Sequence, residues 1–223
     1  SEFGILDYCG FPKDEAYYLK SWWTSGPVLH ILPHWNLDGH EGENVSVWVY
    51  SNCDEVQLIV NGKKLQRKKM PKNGHLEWDA VYRPGYVKAV GYRAGRKVME
   101  TRLDTAGEPV EAVWTYDTVG DIMVANVEMR DAKGRFVPTA NCELEFTAPQ
   151  TGWKILGWGN GDPAFQYVER PVIYGVSATD GTTASDGTSL TGTPAPDQDA
   201  RSIKVVTFNG LAQVILQKIR TGR

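Results

Sequence analysis

Three histidines near the N-terminus are spaced so that they could bind a metal ion. His30 and His34 are four residues apart, which on a helix would place two imidazoles on one side, and His40 follows as a third candidate ligand. Pro27 and Pro33 disfavour a continuous helix through this segment, and the Glu of a metalloprotease H-E-x-x-H motif is absent. We therefore expect no metal and no other cofactor, and we assign these histidines to polar contacts at a domain joint.

Paired carboxyl groups would support a different chemistry, the hydrolysis of an O-glycosidic bond. That reaction requires one acid that donates a proton and one carboxylate that attacks or activates water, held across a sugar-sized cleft. The Asp and Glu residues fall mainly at turns and on outward faces of strands, as at Asp54, Asp117 and Asp131, where solvation explains them. Neither a Gly-x-Ser-x-Gly elbow nor a phosphate-binding glycine loop occurs. We therefore predict no catalytic residue in this chain.

The segment Trp158–Pro163, with the sequence WGNGDP, is the strongest candidate for a binding site. Its two glycines allow a sharply turned backbone that presents Trp158, Asn160 and Asp162 on a common rim. An indole can cover the apolar face of a pyranose while amide and carboxylate groups bond its hydroxyls, so these three are candidate carbohydrate-binding residues. The same residues also suit a plain tight turn closed by an Asx hydrogen bond, and both interpretations stay open.

One helix is predicted, over about residues 13–24, before the stop signal at Pro27. Its aromatic residues Tyr18, Trp22 and Trp23 recur at helical spacing and form an apolar stripe. A single helix with that much apolar surface cannot stand alone in water. The stripe must therefore pack on the downstream domains or on a part of the protein outside this chain.

From Asn44 onward the hydrophobic period changes to two, which indicates strands with one face buried. Val45, Val47 and Val49 show this alternation, and the pair Asn61-Gly62 predicts a tight hairpin. Short strands with regular turn signals are typical of a small sandwich.

The chain divides at a small, polar stretch over residues 105–109. The predicted fold class is all-β, with two immunoglobulin-like β-sandwich domains in tandem, at 41–106 and 107–223, after a short helical segment and linker at 1–40. Residues 177–200 are rich in Thr, Ser, Gly, Asp and Pro, and cannot bury enough surface to offset the entropy of ordering. We expect a mobile insert there.

Composition excludes several kinds of partner. The net charge of -3 with interspersed signs offers no basic face for nucleic acid, and no apolar run is long enough to span a bilayer. The three cysteines, Cys9, Cys53 and Cys142, form no C-x-x-C pair, and we expect free thiols. The N-terminus lacks the pattern of a signal peptide, which leaves secretion of a longer parent open.

Several stretches together resemble the C-terminal region of glycoside hydrolase family 2 enzymes of the β-galactosidase type, as found in Bacteroides-like bacteria. These stretches are FGILD at 3–7, CGFPKD at 9–14, HILPHWN at 30–36, SNCDEVQL at 51–58, the segment 157–163 and FNGLA at 208–212. They follow one another in the order of the family. By this resemblance, residues 1–40 are the tail of the catalytic barrel with its linker, and two immunoglobulin-like domains follow.

The resemblance implies a retaining hydrolysis that uses two glutamates, which we expect on barrel strands upstream of Ser1. This chain would then be a non-catalytic accessory region that braces the barrel and helps to shape the substrate cleft. The implied partner is the barrel of the same polypeptide, with carbohydrate and a second copy of the parent as further candidates. The parent is expected in the periplasm or outside the cell. An autonomous carbohydrate-binding module is the alternative.

Overall fold

The computed structural model describes residues 4–164 and 201–219, so the insert predicted at 177–200 lies outside the described residues. The described part holds one helix and thirteen strands. These are α1 (Asp14–Trp23), β1 (Leu29–Leu32), β2 (Asn44–Ser51), β3 (Glu55–Val60), β4 (Lys63–Lys69), β5 (Leu76–Val81), β6 (Tyr86–Arg93), β7 (Arg96–Asp104), β8 (Pro109–Val119), β9 (Ile122–Asp131), β10 (Glu143–Thr147), β11 (Trp153–Gly159), β12 (Ser202–Val206) and β13 (Leu211–Lys218). The all-β prediction with one short helix is confirmed. No helix in this part is long and apolar enough to cross a bilayer.

The first sandwich packs a three-stranded sheet, in the order β1-β2-β5, against a four-stranded sheet, in the order β4-β3-β6-β7. All pairings are antiparallel. The inward residues predicted from the period of two do form the core: Val47 and Val49 from β2 pack with Val56 and Leu58 from β3, all fully buried. Apolar side chains from both sheets thereby leave water, which is the main stabilising term of a sandwich.

The hairpin between β3 and β4 forms at the predicted Asn-Gly pair. Asn61 and Gly62 have φ of 46° and 84°, the left-handed conformation that a two-residue type I′ turn requires. The Asn61 side chain is also used, because its Oδ1 accepts the backbone N–H of Tyr86 at 2.7 Å. The turn is therefore joined to the neighbouring strand β6.

The first sandwich begins earlier in the chain than residue 41. Strand β1 lies in the segment expected to be a linker, and it pairs with β2 from Leu29 opposite Ser51 to Leu32 opposite Trp48. Leu29 and Ile31 are buried in the first core. The isolated run Leu29–Leu32 is only four residues long between prolines, too short to show a period of two in the sequence.

Helix α1 packs on the outer face of the sheet β1-β2-β5. The Tyr17 ring stacks on His30 of β1 with 3.9 Å between ring centroids, and Tyr18 meets Tyr50 of β2 edge to face at 5.3 Å. Within the aromatic stripe, Tyr18 therefore packs on the downstream domain, one of the two outcomes expected from the sequence. Trp23, at the end of the helix, is the exception, because its side chain is 78% exposed.

The second sandwich has a four-stranded sheet, in the order β11-β13-β9-β8, facing the pair β10-β12. Alternate residues of β13, namely Ala212, Val214 and Leu216, are fully buried. Across the interior, the Trp114 ring packs on Phe146 with centroids 4.6 Å apart. The second half of the chain therefore has its own apolar core, as a separate sandwich requires.

Hydrogen bonds fix the short connection between the sandwiches. Asn36 binds Ala106 in both directions, since its Nδ2 donates to the Ala106 carbonyl and its Oδ1 accepts the Ala106 N–H. The next residue, Gly107, donates its N–H to Asp131 of β9 at 2.9 Å. The carboxylate of Asp131 is 3% exposed and also accepts from Arg135. The connection is therefore bonded to both domains.

Replacing Asp131 with asparagine should lower the thermal unfolding midpoint at neutral pH. The midpoint of this variant should also fall less than that of the wild type as the pH is lowered. The Arg135 side chain, helped by the backbone N–H groups of Gly107, Arg135 and Lys133, holds the pKa of Asp131 well below its ordinary value of 3.8. A carboxyl whose pKa is lower in the folded state gives a stabilisation that is present at neutral pH. That stabilisation is lost as the pH falls below about 4 toward the folded-state pKa.

Circular dichroism melts from about pH 7 to about pH 2 measure this difference. The control is Glu100→Gln, which removes an exposed carboxylate paired with Lys97 and should barely move the midpoint. A variant at Asp131 whose melting curve tracks the wild type at every pH would show that this carboxylate does not secure the joint.

Candidate functional site

The predicted carbohydrate-binding residues begin with Trp158, near the end of β11. It lies opposite Val214 of β13, and residues directly opposite in an antiparallel pair project to the same side of the sheet. Val214 is fully buried, and Trp158 accordingly packs against the second core as a half-buried residue. Much of the indole surface is therefore used inside the domain.

Asn160 and Asp162 lie in the turn that follows. Asn160 is 4% exposed, its Nδ2 donates to the Val206 carbonyl at 3.0 Å, and its Oδ1 accepts the Asp162 N–H at 3.1 Å. Asp162 Oδ1 in turn accepts the N–H of Ala164 at 2.8 Å. These are Asx-type bonds, the alternative that the sequence had left open. Sugar binding by the three residues stays a prediction.

The turn also contacts the N-terminal residues 5–13, here called the N-terminal strap. The Asp7 carboxylate lies so close to Gly161 that a β-carbon at this position would overlap it, and Gly161 has φ of 79°. Asp7 also accepts the N–H groups of Cys9 and Phe11 within the strap. Gly161 is thus required for both its backbone conformation and the close approach of the strap.

A second contact holds the strap against the sheet. Gln213 of β13 donates through Nε2 to the Cys9 carbonyl at 3.0 Å and to Asn126 Oδ1 at 2.9 Å. Cys9 and Gln213 are 204 residues apart in the sequence. No local pattern indicates that these two residues meet, so the contact could not be predicted from the sequence.

Between the strap and strands β11 and β13 lies an open groove of about 350 Å³. Its lining includes Tyr8, Leu156, Gly157, Trp158, Gln213 and Ile215, and no charged side chain of the described residues contributes to it. Tyr8, at 58% exposure, is the most exposed ring among them. Of the residues predicted from the sequence, the structure places only Trp158 in this lining.

The histidines considered as metal ligands are engaged elsewhere. His30 Nε2 lies 2.6 Å from Asp14 Oδ1, and His40 Nδ1 lies 2.8 Å from Glu43 Oε2. Burial lowers the pKa of His34 against the opposing effect of Asp14 and Asp38. Within residues 4–164 and 201–219, no three His, Cys, Asp or Glu side chains come together as a metal site.

Several acidic side chains of the described residues form ion pairs with Lys or Arg. Examples are Glu55 with Arg67, Asp104 with Arg102, Glu128 with Arg130, Asp131 with Arg135, and Glu143 with Lys204. Such pairs serve the structure of the strands and turns. A glycosidase cleft needs two carboxyl groups that face each other across room for a sugar.

Comparison with known proteins gives the family. The family described as "Domain of unknown function (DUF4982)" matches residues 42–99. The beta-galactosidase BoGH2A of Bacteroides ovatus is 38% identical over 188 residues, which cover 78% of this chain and 22% of that protein. A putative beta-glucuronidase of Formosa agariphila is 34% identical over 170 residues, which cover 72% of this chain and 16% of that protein.

A solved structure agrees with the fold. A glycosyl hydrolase family 2 member from Bacteroides cellulosilyticus superposes with a TM-score of 0.73 at 24% identity, over 99% of this chain and 29% of that one. This chain spans only about a fifth of the length of the two curated relatives. The resemblance seen in the sequence is confirmed, and the chain belongs to glycoside hydrolase family 2, as part of its C-terminal region.

Proposed function

We propose that this chain is a non-catalytic accessory region that braces the catalytic barrel of a longer glycoside hydrolase. In this proposal the parent hydrolyses a β-glycosidic bond, which the names of the relatives support. The share of those relatives that the chain covers leaves room for a catalytic domain outside it. The ion pairs that several acids of the described part form with Lys or Arg are also in accord with a supporting role.

The observation that carries the proposal is the exposure of Trp23. Its neighbours on α1, Tyr17 and Tyr18, pack on the first sandwich, but Trp23 keeps 78% of its surface in water. Indole is among the largest apolar side chains and is enriched where proteins dock. We assign Trp23 to the contact with the barrel.

The N-terminal segment that carries Trp23 contacts both sandwiches. Helix α1 packs on the first sandwich, while the strap before it accepts a hydrogen bond from Gln213 and lies against Gly161 of the second sandwich. One continuous segment of chain therefore touches both domains. A barrel that docks at Trp23 would be held by the two sandwiches together, which is what bracing requires.

Trp23→Ala in the full-length parent tests the proposal. Loss of a central docking tryptophan typically costs about 2 kcal/mol or more, so the barrel should inactivate at a clearly lower temperature. The measurement is residual hydrolase activity after timed heating. Val119→Ala is the control, because Val119 is a still more exposed apolar residue on the second sandwich.

The proposal requires that the Trp23 variant of the parent inactivates at a lower temperature than the Val119 variant. Equal heat inactivation of the Trp23 and Val119 variants, both close to the wild-type parent, would remove Trp23 from the docking surface. The bracing role would then lack its supporting observation.

A further inference from the structure

We propose that the groove between the N-terminal strap and strands β11 and β13 binds a neutral pyranose sugar. This inference is independent of the bracing role, because it concerns a different surface from Trp23. The groove of about 350 Å³ falls at the lower end of the volumes of small-molecule sites, roughly 300–1,000 Å³. That space suits one or two sugar rings.

Tyr8 supplies the aromatic surface that a pyranose needs. Its side chain lines the groove and is 58% exposed, whereas Trp158 is half-buried and packs against the second core. An aromatic ring at the rim of a groove can cover the apolar C–H face of a sugar. In this proposal Tyr8, and not Trp158 as predicted from the sequence, is the aromatic residue that covers the apolar face of the sugar.

Gln213 supplies a positioned polar group. Its two hydrogen bonds within the described residues both use Nε2, one to the strap at Cys9 and one to Asn126 of β9. These bonds fix the amide plane and leave Oε1 as an acceptor for a sugar hydroxyl. A carboxamide held in this way can orient a bound sugar and brings no charge into the groove.

The uncharged lining selects the kind of sugar. No Lys or Arg among the described residues lines the groove, and the strap carries the Asp7 carboxylate against Gly161 of the neighbouring turn. A uronic acid would bring a carboxylate that finds no cationic partner, and burying an unpaired charge is costly. A neutral hexopyranose meets no such penalty.

Gly157 keeps the groove open. It lies opposite Ile215, which also lines the groove, so a side chain at Gly157 would project into the same space. A β-carbon placed there meets no atom within 4 Å, and the backbone needs no left-handed conformation. This position therefore allows the groove to be filled without strain in the strand.

The test is an NMR titration of the whole 223-residue chain with methyl β-D-galactopyranoside. The expected result is a shift of the Gly157 and Gly159 amides and of the Gln213 side-chain amide. The dissociation constant should be roughly millimolar, as a ligand of this size allows. Methyl β-D-galacturonide, which differs from the first probe only by a carboxylate at C6, should bind at least about tenfold more weakly.

Three variants complete the experiment. Gly157→Val should abolish the shifts, Tyr8→Ala should weaken binding about tenfold, and Tyr116→Ala, which removes an exposed ring from the edge strand β8, should change nothing. Loss of the shifts with an otherwise native spectrum supports the proposal. Shifts that centre on another surface, equal binding of the two probes, or no shift at all would overturn it.

Discussion

Trp35→Ala should lower the free energy of unfolding of this chain by about 3–5 kcal/mol. Trp35 is 1% exposed, and its ring meets Tyr82 edge to face with centroids 5.1 Å apart in the first core. Its removal leaves a cavity that the two packed sheets cannot fill. The Trp35 carbonyl also accepts the Thr105 hydroxyl at 2.6 Å, so this residue lies where the first sandwich meets the connection to the second.

Urea unfolding followed by circular dichroism measures the effect. The matched control is Trp23→Ala in the same chain, the same substitution at a residue 78% exposed, which should cost less than about 0.5 kcal/mol. Comparable losses at the two positions would contradict the packing described for the first core. The pair also separates stability from docking, because the proposal assigns Trp23 an effect in the full-length parent only.

Gly210→Ala should cost about 3 kcal/mol. Gly210 has φ of 82°, and a β-carbon there would overlap the Val137 carbonyl oxygen and the Phe136 ring. The left-handed conformation alone costs a non-glycine residue roughly 1–2 kcal/mol, and forced overlap in a packed region adds a similar amount. Gly210 also donates its N–H to the Ala140 carbonyl, so the backbone cannot move away freely.

Gly120→Ala is the control that measures the cost of the left-handed backbone conformation without any steric overlap. Gly120 has φ of 60° in the turn between β8 and β9, and nothing lies within 4 Å of a β-carbon at that position. Its substitution should cost only about 1 kcal/mol by the same urea measurement. If both glycine variants lost the same free energy of unfolding, the claim that a β-carbon at Gly210 overlaps the Val137 carbonyl would be contradicted.

Regions with strong local signals were predictable from the sequence. The alternating valines of β2 place Val47 and Val49 in the core as predicted, and Asn61-Gly62 forms its turn. Both features follow from local chemistry: a strand exposes every second side chain to one face, and Asn-Gly tolerates positive φ. Helix α1 likewise begins and ends within one residue of its predicted range.

Elements without a local signal were missed. Strand β4, with the sequence KKLQRKK, carries five basic residues in seven, and such a strand is stable only because β3 supplies its hydrogen bonds. It lies at an edge of its sheet, where exposed Lys is common and discourages pairing with other chains. Its composition indicates a solvated surface and gives no period of two.

The candidate site shows the same division. The turn at Asn160 is predicted as either a binding rim or an Asx turn, and its Asx bond to the Asp162 N–H is local, whereas the bond from Asn160 to the Val206 carbonyl joins a distant strand and could not be predicted. The groove depends on Tyr8 and Gln213, which meet only through the folded chain. A sequence can indicate residue types suited to sugars, but tertiary contacts decide which of them face a groove.

The most direct test of the accessory role is an assay of the purified chain with a chromogenic β-galactoside, beside its full-length parent. The proposal predicts that the parent hydrolyses the substrate and that the chain alone gives a rate equal to buffer. Turnover that copurifies with the chain and disappears when one of the chain's own carboxylates is replaced would contradict it.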